Sequence, residues 1–461
     1  MLYTASAAGP AALLGLALVV LSVVILRVKG FARLKHIPGP LWAGWTDLWL
    51  IRAQICGRLN FILHDVNRQY GKLFPIGPKW VVCGDGAELR RMWGVRSAWQ
   101  RAYWYRGLRV DPYKDNAFST LDDQVHEKLR AKLAPGYGGK DVDNLHQLID
   151  EQVAGLVSLL ETTYLSTEID FRPVDLACKA FGYLAADVDL FGYIETTERT
   201  VPVLLATALM PWFLRILQSP RLKWLLPNAQ DMVGIGTVMG RAKAAVAERY
   251  GDKPVVKRDM LGSFVAHGLS REDAEGETVA EIDAGIREGR VSSPITDAEA
   301  RQLPYLQAVI REGLRVWPPA TAVLPKVSDK DQVVCGVRVP AGTNFAWSPW
   351  SIMRNKETFG DDADLFRPER WLGIPPAKYR LMDQTVMMEF APGSRWECLG
   401  KTVAQMELNK TFVELLRRFD FTLLDPTSPW KSYNAAVFIQ SDMNVVVTRR
   451  EPSLVPAQLK E

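Results

Sequence analysis

Cys398 lies in the run Phe390-Ala391-Pro392-Gly393-Ser394-Arg395-Trp396-Glu397-Cys398-Leu399-Gly400, a glycine-containing turn ahead of helix-favouring sequence from Lys401 to Phe419. What a cysteine can do there depends on its charge. Backbone N–H groups and the dipole at a helix start favour the thiolate, a soft ligand that suits iron. Glycines in the turn let the backbone approach a flat ligand without a Cβ clash. The plain alternative is an inert cysteine in an ordinary loop.

Other charged residues have spacings that could serve such a site. His126 and Arg130 fall at i and i+4 in a segment of helical character, Asp122 to Leu133, so they share one face. An arginine fork grips a carboxylate through two hydrogen bonds, although an exposed polar pair on a solvated face has the same spacing. Glu312-Gly313-Leu314-Arg315 lies in a helix expected from about Leu303 to Val316 and stopped by Trp317-Pro318-Pro319. Three-residue spacing puts Glu312 and Arg315 on one face, and Phe366-Arg367-Pro368-Glu369-Arg370-Trp371 offers Arg370 downstream.

Composition limits the alternatives. The chain has 461 residues, 48% of them hydrophobic, enough for one large domain or two lobes. Its five cysteines include no CxxC pair, which argues against zinc ribbons and a disulfide framework and for a reducing compartment. Five histidines without HExxH spacing make a hydrolytic metal site a poor reading. A net charge of +4 without a basic block gives no nucleic-acid tract. Gly234 to Gly240 has the wrong last spacing for a dinucleotide loop, and no strand precedes it.

The elements that must position these residues begin with an anchor. No charged residue occurs from Met1 through Leu26, and Arg27, Lys29, Arg33 and Lys35 follow. About 20 apolar residues suffice to span a bilayer, and positive charges behind the span hold the remaining chain on the cytosolic side. Ile37-Pro38-Gly39-Pro40 gives a stiff exit. Phe74 to Ile76 and Trp80 to Cys83 read as a hairpin, followed by a helix near Ala87 to Trp93. Val333 to Val339 and Thr343 to Trp347 read as strands around a Pro340-Ala341-Gly342 turn. The expected division is an anchor over 1–27, a basic and Pro-rich hinge over 28–45 and one domain over 46–461.

These motifs together resemble the cytochrome P-450 superfamily of monooxygenases, whose signature runs Phe, two residues, Gly, one residue, Arg, one residue, Cys, one residue, Gly. Phe390, Gly393 and Arg395 keep that spacing, and Cys398 comes one residue late, an insertion at Trp396 or Glu397. The resemblance implies a mainly α fold with small β-sheets behind an N-terminal transmembrane helix. It implies haem b with Cys398 as axial thiolate, and His126, Arg130 and Arg395 on the haem propionates. Glu312, Arg315 and Arg370 match a buried triad that braces the loop under the haem. Electrons would come from NADPH through an NADPH-cytochrome reductase, with Lys128, Lys132 and Lys401 on its docking face. An apolar small-molecule substrate would lie among Trp104 to Arg109, Ala320 to Leu324 and Ala436 to Phe438. The location implied is the endoplasmic reticulum membrane, single-pass, with a cytosolic catalytic domain. Met260-Leu261-Gly262-Ser263-Phe264 and Trp396 to Lys401 look most like fungal members of the pisatin demethylase and benzoate hydroxylase kind, and so suggest secondary metabolism.

One family feature has no counterpart. Relatives carry, before the Glu-x-x-Arg helix, a long central helix with an acid-Thr-Thr segment that relays protons to bound oxygen. Here Ser270 to Thr278 passes through Val279-Ala280 directly into Glu281 to Ile286, so an internal segment is expected to be missing near 279/280 and no catalytic acid/alcohol pair is assigned. The rival expectation is a catalytically impaired or non-catalytic membrane-bound haem protein: a skipped-exon isoform, a faulty gene model or a decayed copy.

Overall fold

The structure, a computed structural model, describes residues 8–94, 97–109, 114–137, 145–171, 193–228, 230–231, 282, 286 and 288–450. Gly234 to Gly240, Met260 to Phe264 and the Val279/Ala280 junction lie outside these residues.

Helix α1, Ala8–Leu34, opens the chain. Its part from Leu13 to Leu34 has a mean hydropathy of 2.2, and at 1.5 Å per residue it is about 33 Å long, matching a hydrocarbon core. This apolar helix fits a membrane anchor. It continues through 28–34, inside the segment the sequence assigns to the hinge, because its last turns are held by the globular body. Arg33 donates to the carbonyls of Pro340 and Ala341 and to Thr343 Oγ1. Phe31 stacks on Trp45 with ring centroids 4.4 Å apart.

The rest is mainly helical with small sheets. A five-stranded sheet runs in the order β1 (Leu73–Gly77), β2 (Trp80–Cys83), β8 (Asn344–Trp347), β5 (Lys326–Val327), β3 (Gln100–Arg101). Only β2 and β8 are parallel, with Cys83 opposite Trp347. In the outermost pair Arg101 lies directly opposite Lys326. A second sheet joins β4 (Glu168–Asp170), β12 (Asn444–Arg449) and β9 (Phe419–Leu423), and β10 (Lys431–Asn434) pairs with β11 (Phe438–Ser441).

The segment expected as one strand over Val333 to Val339 is a hairpin. Strands β6 (Gln332–Val334) and β7 (Val337–Val339) pair with Val334 opposite Val337. Cys335 and Gly336 reverse the chain with φ of 49° and 76°. Two left-handed residues in succession give the tight turn whose twist matches that of paired strands.

The helices that carry the site start as the sequence dictates. Asp122 accepts from the amides of Gln124 (2.8 Å) and Val125 (3.0 Å), capping α2, Asp123–Tyr137. Helix α3, Leu145–Leu159, packs on the last long helix, whereas α4 (Tyr193–Ala208) and α5 (Pro211–Leu217) meet at the break before Pro211. Pro304 opens α6, Pro304–Val316, at the position where its missing N–H is harmless. Helix α7, Lys401–Leu416, ends earlier than expected because Phe419 already belongs to β9. One hydrophobic cluster joins α6 and α7 to Phe359, Trp371 and Phe390.

Candidate functional site

Glu312, Arg315 and Arg370 meet in the core, with 0%, 0% and 4% exposure. Arg315 donates from Nε to Glu312 Oε2 (2.8 Å) and from Nη2 to Oε1 (2.7 Å), and Arg370 Nε reaches Oε1 at 2.8 Å. The Arg367 amide and the Trp371 indole complete the carboxylate's partners at 2.8 and 2.9 Å. The remaining guanidinium donors go to the carbonyls of Met353, Ala363, Leu365, Phe359 and Asp362, and Arg370 Nη1 also pairs with Asp362 Oδ1 at 3.0 Å. Burial alone would raise the Glu312 carboxyl; hydrogen bonds and charge from Arg315, and the charge of Arg370, outweigh it and hold it below its ordinary value. This network fixes the segment 353–371 against α6. It adds little net stability, since desolvation offsets the attraction, but it sets geometry.

The cysteine loop leaves the buried Phe390 through Ala391, at φ 48°, and Gly393, at φ 67°. The Cys398 amide returns to the Phe390 carbonyl at 2.8 Å, closing the turn. Ser394 stiffens it, donating to Ala391 O (2.8 Å) and accepting from the Trp396 amide (3.1 Å). Cys398 itself is exposed.

Trp396, at the one-residue lag in the signature, is the centre of a cationic cluster. Its ring lies 3.7 Å from that of His126 and 3.6 Å from Arg101 Cζ, with Lys326 Nζ at 5.9 Å. The structure thus brings His126, Arg130, Arg395 and Cys398 into one region. Arg130 donates to the Glu397 carbonyl and Arg395 pairs with Asp123, so two of the predicted cations clamp the loop to α2.

Arg101 and Lys326 are additions that sequence reasoning missed. Each sits in a two-residue strand with no motif; the one clue was a lysine after Pro325 in an otherwise apolar run, Ala320 to Val327. Both are buried. Burial, aided by the Arg101 charge, drops the Lys326 amine to about 8. Burial also lowers Arg101 to about 10, and burial with the charges of Arg101, Arg130 and Arg395 lowers His126 to about 4. His126 Nδ1 and Arg101 Nε are buried without a hydrogen-bond partner. Two buried cations, Arg101 and Lys326, beside a neutral imidazole and with Arg101 Nε and His126 Nδ1 unpartnered, leave room for carboxylates.

Beside the cluster lies an apolar wall. Trp104 and Tyr105 pack with Ala322, Val323, Ala436, Leu205 and Ala208, so the three segments expected around a substrate converge. The Thr321 amide donates to Ala436 O at 2.8 Å. Gly107 lets the Tyr103–Leu108 turn press on α4, as a Cβ there would lie 2.4 Å from that of Ala208. Glu389, next to Phe390, accepts from the Ala320 amide (3.3 Å), and burial pushes its carboxyl up to about 8.

The cytochrome P450 family model matches residues 270–448, a span that holds Glu312, Arg315, Arg370 and Cys398. Three curated fungal relatives extend the likeness. The chain is 36% identical over 478 aligned positions to the cytochrome P450 monooxygenase ABA1 of Pyricularia oryzae, covering 91% of this chain and 93% of that protein. It is 33% identical over 471 positions to the cytochrome P450 monooxygenase aba1 of Botryotinia fuckeliana, covering 91% and 92%. With the cytochrome P450 monooxygenase cicH of Emericella nidulans, identity is 26% over 482 positions, covering 91% and 94%. Coverage this complete at this identity, with the triad and the cysteine loop in their places, shows that the chain belongs to the cytochrome P450 family of haem-thiolate monooxygenases.

Proposed function

We propose that the chain is built as a membrane-anchored monooxygenase that inserts one oxygen atom from O2 into an apolar small molecule of fungal secondary metabolism, and that it lacks an internal segment at Val279/Ala280. The observation that carries the first part is the meeting of an exposed Cys398 thiol with buried cations whose donors are not all used. That donor set fits haem b. Cys398 would hold the iron; His126, Arg101 and Lys326 would take the propionates; Arg130 and Arg395 would keep the loop on α2. When bound, haem supplies the centre at which O2 is reduced by two electrons, here from NADPH through a partner reductase.

The chain's own residues would then do three things. The Glu312 network holds the loop's support rigid. The wall of Trp104, Tyr105, Ala322, Val323 and Ala436 excludes water and orients an apolar substrate. Helix α1 keeps the domain at the endoplasmic reticulum membrane, facing the cytosol, and exposed Trp212, Ile216, Trp224 and Leu225 would rest on the lipid surface. Exposed Lys128 and Lys132 would meet the reductase, while Lys401 is paired with Glu397 at 3.5 Å. The finer likeness to pisatin demethylase and benzoate hydroxylase rests, within the described residues, on Trp396 to Lys401.

Alignments of 471 to 482 positions exceed the 461 residues of the chain, which supports a missing segment. Without the acid-Thr-Thr helix of the relatives, proton delivery is impaired, and a haem protein with weak or no turnover becomes the second reading. The test is the reduced carbon-monoxide difference spectrum of the protein expressed from this sequence in membranes, beside a Cys398→Ser variant and a version with the helix restored at Val279/Ala280. A red-shifted Soret band lost in Cys398→Ser supports the ligand assignment. A band in the restored protein alone would establish the impaired reading. A band that survives Cys398→Ser would overturn the site.

A further inference from the structure

Cys83 ends β2 and is fully buried; Cys335 takes the first position of the β6–β7 turn and is partly exposed. Their sulfurs lie 3.9 Å apart across a sequence separation of 252. The turn position is left-handed, at φ 49°, where Asn or Gly is the ordinary occupant and other side chains are strained. The residue that bears this strain is the one whose sulfur meets a second thiol. Both ends are held: the Asp85 amide lies 3.3 Å from Cys83 Sγ, and the Cys335 amide donates to Glu88 Oε1 at 3.2 Å.

The two sulfurs are electrostatically unlike. A hydrogen bond from Cys83 stabilises the Cys335 thiolate and pulls it below its ordinary value, with help from the Lys72 charge against burial and the charges of Asp85 and Glu88. The same bond, with burial, pushes the Cys83 thiol up. A partly exposed thiol whose ionisation is favoured, 3.9 Å from a buried thiol, is the arrangement of an attacking and a resolving cysteine.

We propose that Cys83 and Cys335 form a reversible disulfide that fastens the β6–β7 hairpin to β2, with a low-molecular-weight disulfide such as oxidised glutathione as the oxidant. The Cys335 thiolate attacks one sulfur of glutathione disulfide; that S–S bond breaks and one glutathione thiolate leaves, taking up the proton Cys335 gave away. Cys83 then loses its proton and attacks the Cys335 sulfur, expelling the second glutathione as a thiol. Two protein thiols are oxidised to one disulfide, and one glutathione disulfide is reduced to two thiols. Closing the bond brings the sulfurs from 3.9 Å to about 2.0 Å, a shift the exposed hairpin can make. In a reduced glutathione pool the thiols persist, and the staple closes when the pool is oxidised. Cys83 belongs to the hydrophobic cluster that includes Phe345 and Trp347, and Cys335 packs against that cluster, so the staple stiffens the sheet that carries Arg101 and Lys326.

The experiment treats the full-length protein with oxidised glutathione or dithiothreitol, alkylates the remaining thiols and maps the peptides. Oxidation is expected to remove two of the five thiols, to give a Cys83–Cys335 cross-linked peptide, and to speed migration on a non-reducing gel, all reversed by dithiothreitol. Cys335→Asn, which suits the left-handed turn, is expected to abolish the shift. Cys83→Ala is expected to accumulate a glutathione adduct at Cys335. Full alkylation of both thiols after oxidation, a wild-type adduct at Cys335 that never resolves, or a cross-link through Cys56 or Cys398 instead would overturn the proposal.

Discussion

The Glu312 network and the cluster around Trp396 are made from similar parts and differ in how their charges are answered. In the first, each guanidinium has its acceptors and the carboxylate has four partners in place. In the second, cations gather around an indole and buried donors on His126 and Arg101 lack acceptors. A closed network serves geometry, whereas an open one awaits a ligand. The difference separates buried charges whose partners are all in place from buried charges that keep bonding capacity.

Breaking the closed network should have the largest effect. Glu312→Ala strands two buried guanidiniums, and about 3–5 kcal/mol of stability should go with it; a denaturant titration of the solubilised protein measures this, and Glu312→Gln should lose less. Next, Cys398→Ser should remove the red-shifted band while leaving the unfolding free energy of the haem-free protein within about 0.5 kcal/mol of wild type, because the side chain is exposed.

Smaller effects sharpen the contrast. Arg101 and Lys326 face each other across β3 and β5, and like charges so placed are destabilising by about 0.2–1 kcal/mol. Lys326→Met should therefore raise the melting temperature of the haem-free protein and speed haem loss to an acceptor such as apomyoglobin. In the Glu312 network no such trade exists. The remaining effect is a pH slope, absent at neutral pH and growing only in acid. His126 titrates at about 4 in the fold against 6.5 unfolded, so the folded state binds fewer protons there. Its stability is fully present above 6.5 and falls as the pH drops toward 4. His126→Gln should flatten that part of the haem-free stability profile, and haem binding should flatten it in the wild type.

The triad was readable because its residues lie in motifs of fixed order, on a helix whose start and stop are marked by Pro304 and Trp317-Pro318-Pro319. For the cysteine loop and the 126/130 pair the sequence offered spacing alone; their contacts, His126 on Trp396 and Arg130 on the Glu397 carbonyl, are tertiary. Arg101 and Lys326 were not, since strand pairing between distant segments, and no local pattern, sets them side by side. The β6–β7 hairpin was hidden because alternating valines read as one strand on either side of a single glycine, and nothing marks Cys335 as a turn residue. The continuation of α1 through 28–34 rests on contacts with the 340–343 turn, which no local pattern announces.

The pairing of Arg101 with Lys326 has a consequence for timing. One partner is made early in synthesis and the other late, and their strands contribute only two residues each to the sheet. A contact so distant in sequence and opposed by like charge closes after the local helices and hairpins have formed. Until then the buried pair of cations over Trp396 does not exist. A nascent chain therefore has to wait for its last third before this cluster can form, and any ligand held there is acquired late.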